Sequence, residues 1–229
     1  EEKVKKSEFI NNKDEDELIF KYKMIQAKLD GFLNNAKDIV KKEKDNSDHS
    51  KYALAVALYR QALLNDSVSV LDELILKYPK NAWFYELKGQ ILYESGKIED
   101  SIKPYTIALN LKEKEPLLMV GLATALNARG NKGDAMKAIN LLKESLKYDK
   151  KNSQTWYQLA ISYSDLNNIG MAELSSAERH FLTGNTKMAS FHAKKSLKYF
   201  NNSDIFKLRA QDILIDAENK AKWKRRCPV

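Results

Sequence analysis

A chain of 229 residues with 39 Lys and Arg against 31 Asp and Glu carries a formal charge of +8, and its 43% hydrophobic content suffices to bury one face of every helix. With 8 glycines and 4 prolines beside abundant Ala, Leu, Lys and Glu, the composition favours long helices joined by short turns and leaves little room for strands. No window of 18 apolar residues exists, which excludes a membrane-spanning helix.

The positive excess does not read as a nucleic-acid footprint. Lys220, Lys222, Lys224, Arg225 and Arg226 fall in the last ten residues, and elsewhere the signs alternate, as in Lys112, Glu113, Lys114 and Glu115. A groove that tracks phosphates needs a concentrated basic stripe with stacking aromatics. Cys227 is the single cysteine, so no internal disulfide forms and no cysteine spacing marks a metal site. The chain opens at Glu1 without methionine or a signal-type sequence, and reads as a processed protein or a fragment.

Residues 1–13 are expected to be disordered or extended. Residues 14–43 have a helical pattern in Leu18, Ile19, Tyr22, Ile25 and Leu29, then Phe32, Leu33 and Ile39. It is interrupted near Gly31 and followed by a polar loop to Ser47, giving one or two capping helices. A repeat then begins. Counting Ala82 as 1, the residues Tyr85, Gly89, Leu92, Gly96, Ser101, Tyr105 and Ala108 occupy positions 4, 8, 11, 15, 20, 24 and 27 of a 34-residue period. Small side chains at 8, 20 and 27 let paired helices approach, bulky ones at 4, 11 and 24 fill the space between them, and Gly96 permits the turn.

The frame recurs from Asp48 (Ala55, Leu58, Ser67, Leu71, Leu74, closed by Pro79), from Pro116 (Met119, Leu122, Ala123, Leu126, Gly130) and from Ser153 (Trp156, Leu159, Ala160, Tyr163, Ala172). The third repeat carries an insertion of about three residues around Asn131 to Asp134, and in the fourth Asn167 stands at the turn position. The organisation expected is therefore 1–47 tail and capping helices, 48–182 four repeats, 183–221 a further helix pair (about 186–199 and 204–221) presenting Phe206, Ile213 and Leu214 as a cap, and 222–229 a basic tail. This spacing resembles the tetratricopeptide repeat, and the fold class it implies is all-α, a right-handed superhelix or α-solenoid of about 10–12 helices.

No motif of catalysis appears. His49, His180 and His192 read as isolated residues rather than a zinc pair one helical turn apart. The Gly130 to Gly133 segment lacks the lysine and hydroxyl of a phosphate loop, and Asp14 to Glu17 reads as a solvated or helix-starting run. No cofactor, metal or catalytic residue is expected within this chain. The resemblance instead implies a groove lined by the first helix of each repeat. Mapped onto this sequence, the candidate partner-binding residues are Tyr52, Tyr59, Arg60, Trp83, Glu86, Gln90, Tyr93, Asn127, Tyr157 and Ile161.

Four stretches carry a more particular resemblance: KYKMIQAKLDGFL from Lys21, FYELKGQILYESGKIEDSIKPYTIAL from Phe84, MAELSSAERHFLTGN from Met171 and LRAQDIL from Leu208. Across about residues 18–217 the chain resembles the C-terminal repeat part of M48-family zinc metallopeptidases of Gram-negative envelopes, of the outer-membrane protein assembly quality-control type. That resemblance implies a periplasmic, non-catalytic docking domain for substrates, for outer-membrane β-barrel proteins or for their assembly machinery. The HExxH helix and its zinc would belong to an upstream domain of the parent protein. The alternative is a free-standing adaptor or scaffold, in the cytoplasm or periplasm.

Overall fold

The computed structural model describes residues 15–34, 37–39 and 47–226. The expectations for residues 1–13, for the polar segment 40–46 and for Cys227 lie outside the described residues. Helices follow one another as α1 (Glu15–Leu33), α2 (Asp48–Arg60), α3 (Leu64–Lys77), α4 (Ala82–Glu94), α5 (Ile98–Leu111), α6 (Pro116–Arg129), α7 (Asp134–Tyr148), α8 (Ser153–Asp165), α9 (Ile169–Leu182) and α10 (Thr186–Ser196). A 3-10 turn (Leu197–Tyr199) and α11 (Ile205–Arg226) complete the chain, with no strand among the described residues.

Local chemistry sets the helix ends. Asn152 caps α8 by accepting the Gln154 and Thr155 amides at 3.0 and 3.2 Å, and Asn168 and Asn185 do the same for α9 and α10 through Met171 and Met188, each at 3.2 Å. Pro116 opens α6, where its missing N–H costs nothing. Most of the sharp turns pass through a left-handed residue: Gly96, Gly130 and Gly184 as glycines, and Asn167 at φ 54°. The first repeat instead uses Ala62 at φ 59°, a strained choice that the repeat frame does not single out.

The chain divides into two compact units after Phe84. In the first, α1 packs on α2 and α2 on α3. α1 runs unbroken through Gly31, contrary to the expected interruption. A Cβ there would lie 2.5 Å from Val56 Cβ and 2.8 Å from the Ala53 carbonyl oxygen, so the missing side chain serves close approach of the two helices. Ser67, fully buried on α3, donates its hydroxyl to the Ala55 carbonyl at 2.6 Å, tying the pair together. Across the far end of the pair, the Tyr78 hydroxyl and the Lys77 ammonium both reach Asp48 Oδ2, at 2.5 and 2.7 Å. Aromatic contacts of Tyr52 and Tyr78 with Phe84, centroids 4.9 and 6.3 Å apart, fill the interior.

In the second unit the core is two clusters. One gathers Tyr105, Leu122, Leu126, Ile139, Leu142, Leu159 and Tyr163; the other gathers Leu174, Ile213 and a run of alanines from α9, α10 and α11. Alanines at Ala177, Ala189, Ala193, Ala210 and Ala217 let those three helices approach closely. Glu178 of α9 and Arg209 of α11 add a bidentate pair at 2.5 and 2.8 Å. Ile213 is fully buried and Leu214 packs beside it, whereas Phe206 stays exposed against Phe200. α11 continues to Arg226, so residues 222–226 extend the last helix beyond the end expected at 221.

Candidate partner-binding surface

Four candidate groove residues lie in the first unit. Tyr52 is only 2% exposed and stacks edge-on to Phe84, so it is a core residue and its aromatic face is unavailable to a partner. Tyr59 is half-buried with Phe32 edge-on at 6.4 Å, and the exposed Arg60 donates to the Asn34 carbonyl at 3.2 Å. Trp83 is half-buried at the start of α4, where its amide is capped by Asn81 Oδ1 at 3.1 Å.

The other six lie in the second unit. Glu86, at 6% exposure, is interior and cannot face a partner with its carboxylate. Gln90 donates to Glu94 one turn along α4 at 3.0 Å, and Tyr93 packs partly buried against the larger core cluster. The remaining three lie on α6 and α8, which pack together. Asn127 of α6 donates through Nδ2 to both the carbonyl and the Oε1 of Gln158, at 3.1 and 3.0 Å, and accepts from the Ser162 hydroxyl at 2.8 Å. This network fixes α6 against α8. On α8, Tyr157 and Ile161 are four residues apart and so share a face. Tyr157 is 38% exposed, and the Arg179 guanidinium of α9 sits over its ring at 4.3 Å. An open aromatic with a cation and an aliphatic neighbour, on rigid helices, is what an amphipathic peptide docks on.

The two histidines that read as isolated in the sequence prove to be paired. His180 of α9 and His192 of α10 stack with centroids 5.3 Å apart and planes 7° off parallel. Their spacing across a three-residue turn is the sequence signal that joins them. His192 Nδ1 is hydrogen-bonded to Glu173 Oε2 at 2.6 Å, and Lys195 donates to Oε1 at 2.7 Å. Burial pushes the Glu173 carboxyl up, but the Lys195 and His192 hydrogen bonds outweigh it and hold it below the usual range. Burial first, then the charges of His192 and Arg179, push His180 below its ordinary value.

A lowered folded-state value means that the neutral imidazole favours the fold. Its contribution is therefore complete above the unfolded pKa of about 6.5 and is lost as pH falls through the folded value. NMR titration of the imidazole protons is expected to place the His180 midpoint below about 6.5. His180→Gln is expected to flatten the fall in Tm over that acid range; an unchanged slope would discount the His180 contribution. Among the described residues, no three His, Cys, Asp or Glu side chains come together as a metal would require.

Short helices paired through tight turns, with small residues at the crossings, define this chain as an all-α protein of the tetratricopeptide-repeat fold. Solved structures match it over most of its length. A chain of the APC/C hetero-tetramer Cut9-Hcn1 is 17% identical with a TM-score of 0.56, covering 80% of this chain and 39% of its own length. A tetratricopeptide-repeat protein of Thermus thermophilus is 14% identical with a TM-score of 0.50, covering 74% of this chain and 100% of its own. Yeast Tom70 is 19% identical with a TM-score of 0.53, covering 88% of this chain and 40% of its own. This chain thus spans about two fifths of the Cut9-Hcn1 chain and of Tom70, and the whole of the Thermus protein. No family model and no curated protein matches the sequence.

Proposed function

We propose that this chain is a non-catalytic protein-docking module that takes an amphipathic peptide or loop on the face carrying Tyr157, Ile161 and Asn127. The observation that carries the reading is the Arg179 guanidinium held over the exposed Tyr157 ring at 4.3 Å, beside the Asn127 and Gln158 network. A partner carboxylate would meet Arg179, and an aliphatic side chain would cover Tyr157 and Ile161. The Cut9-Hcn1 structure is described as a hetero-tetramer, which is in keeping with assembly on this kind of fold.

The finer reading rests on the four sequence stretches alone: the module is the substrate- or partner-docking half of a periplasmic zinc metallopeptidase, acting on outer-membrane β-barrel proteins or their assembly machinery. Zinc would then be held by the parent's upstream domain. The reading frame immediately upstream of Glu1 decides this. An HExxH segment supports the peptidase parent, and an initiator close to Glu1 favours the free-standing adaptor.

The docking face is tested with fluorescent peptides copied from outer-membrane β-barrel strands. Tyr157→Ala is expected to weaken binding about thirtyfold, an effect of hot-spot size, with the helical circular dichroism unchanged. Equal binding by the variant would remove Tyr157 from the site.

A further inference from the structure

A second surface, which has none of Tyr157, Ile161, Asn127 or Arg179 in its lining, is a groove of about 390 Å³ between α5, α6 and α7. Its floor is aliphatic: Leu122 and Leu126 of α6 are buried, and Ile102 of α5 and Leu141 of α7 are half-buried on either side. The volume is within the range of sites that take small ligands or a few side chains, about 300–1,000 Å³. The rim is polar. Thr106 is exposed and gives its proton to the Ile102 carbonyl at 2.8 Å, and Asn140 and Lys137 stand exposed on α7.

Charge decides what fits. Arg129 also borders the groove, but its guanidinium is already matched by Asp134, at 2.7 and 2.8 Å, and by Glu99 at 3.1 Å. The cation that the rim presents is therefore the Lys137 ammonium. The groove is also held in shape. The lengthened α6–α7 loop turns through Gly130 and Gly133 at φ 66° and 88°, and the Asn131 amide donates to Asp134 Oδ2 at 3.1 Å. A buried ion pair adds little net stability over apolar packing. Here it fixes where α7 starts, and so where Lys137 stands relative to Leu126.

We propose that this groove docks an acidic amphipathic segment of a partner protein, with two neighbouring aliphatic side chains on the Leu122 and Leu126 floor and a carboxylate paired to Lys137. The site is independent of the Tyr157 face. It stands or falls without that reading.

The probe is the peptide acetyl-Glu-Leu-Leu-Asp-Leu-amide, titrated into the isotope-labelled full chain by NMR, alongside the same peptide with lysines in place of both acids. The acidic peptide is expected to shift the amides of Ile102, Thr106, Lys137 and Leu141. Lys137→Glu, an exposed substitution that leaves the core alone, is expected to weaken it about three- to fivefold at low salt, the range of a rim ion pair. The same variant should bind the lysine peptide better than the parent does. Leu141→Asp should abolish the shifts by placing a charge on the floor. Tyr157→Ala should leave them intact, so loss of the Tyr157 reading and loss of this one are separable. Shifts centred elsewhere, equal binding of both peptides to the parent chain, or no shift at millimolar peptide would each overturn the proposal.

Discussion

Tyr105→Ala is expected to lower the unfolding free energy by about 3–5 kcal/mol, the usual cost of removing a large buried aromatic. The Tyr105 ring of α5 lies between two helices that each present a glycine to it. A Cβ on Gly89 would sit 2.9 Å from the ring, and one on Gly121 would sit 2.6 Å from Cε1. With no side chains on α4 and α6 at those points, neither glycine position can supply atoms to the space that Ala would leave. The converse changes, Gly89→Leu and Gly121→Leu, are expected to cost about 1–3 kcal/mol each by overpacking. In the Tyr105→Ala background Gly121→Leu should cost much less, since the added side chain enters the vacated volume; this coupling between neighbours is read by a double-mutant cycle. Urea unfolding followed by circular dichroism supplies the four free energies. Strict additivity would mean that the ring is not wedged against these glycines.

That wedge is legible in the sequence itself, because a bulky residue at position 24 and a small one at position 8 recur in a helical repeat only where helices touch. The helix starts at Asp48, Ala82, Pro116 and Ser153 are legible for the same reason, reinforced by Asn152 and Pro116 as end signals. Gly31 misleads because glycine reads as a breaker locally, whereas here the Val56 side chain and the Ala53 carbonyl of α2 press against it.

The groove is harder to read from the repeat, and position 5 of the frame shows why. It holds Tyr52, Glu86 and Val120, all interior, and then Tyr157, which is open. A repeat template assigns facing by position, but whether a side chain at that position meets solvent depends on the bulk of what packs across from it. Tyr52 meets Phe84, and Val120 joins the cluster around Tyr105. Helical periodicity does not encode the histidine pair or the Arg129 to Asp134 clamp, because both depend on side chains converging around a turn; only the spacing of His180 and His192 about the turn at Gly184 signals the first of them.

Asp134→Asn is expected to destabilise the second unit by about 3 kcal/mol, the low end of the cost of breaking a buried pair. The carboxylate is 2% exposed and accepts two hydrogen bonds from Arg129, whose own side chain is 17% exposed. Substituting the amide keeps the shape but removes the charge and turns an N–H group towards a guanidinium that has only donors to offer. Arg129→Lys should not rescue the geometry, since an ammonium cannot make the parallel pair. The Arg129 hydrogen bonds, which outweigh burial, hold the Asp134 carboxyl below its ordinary value of 3.8. The stability it supplies is therefore fully present above the unfolded pKa, about 3.9, and is lost as pH falls through the lower folded value. Parent and Asn variant should differ at neutral pH and converge in acid, below about pH 4, as the parent's carboxylate takes up its proton. Thermal melts from about pH 7 down to about pH 2 test this: two curves that stay parallel throughout would mean that the charge on Asp134 contributes nothing, and that shape alone holds the α6–α7 loop.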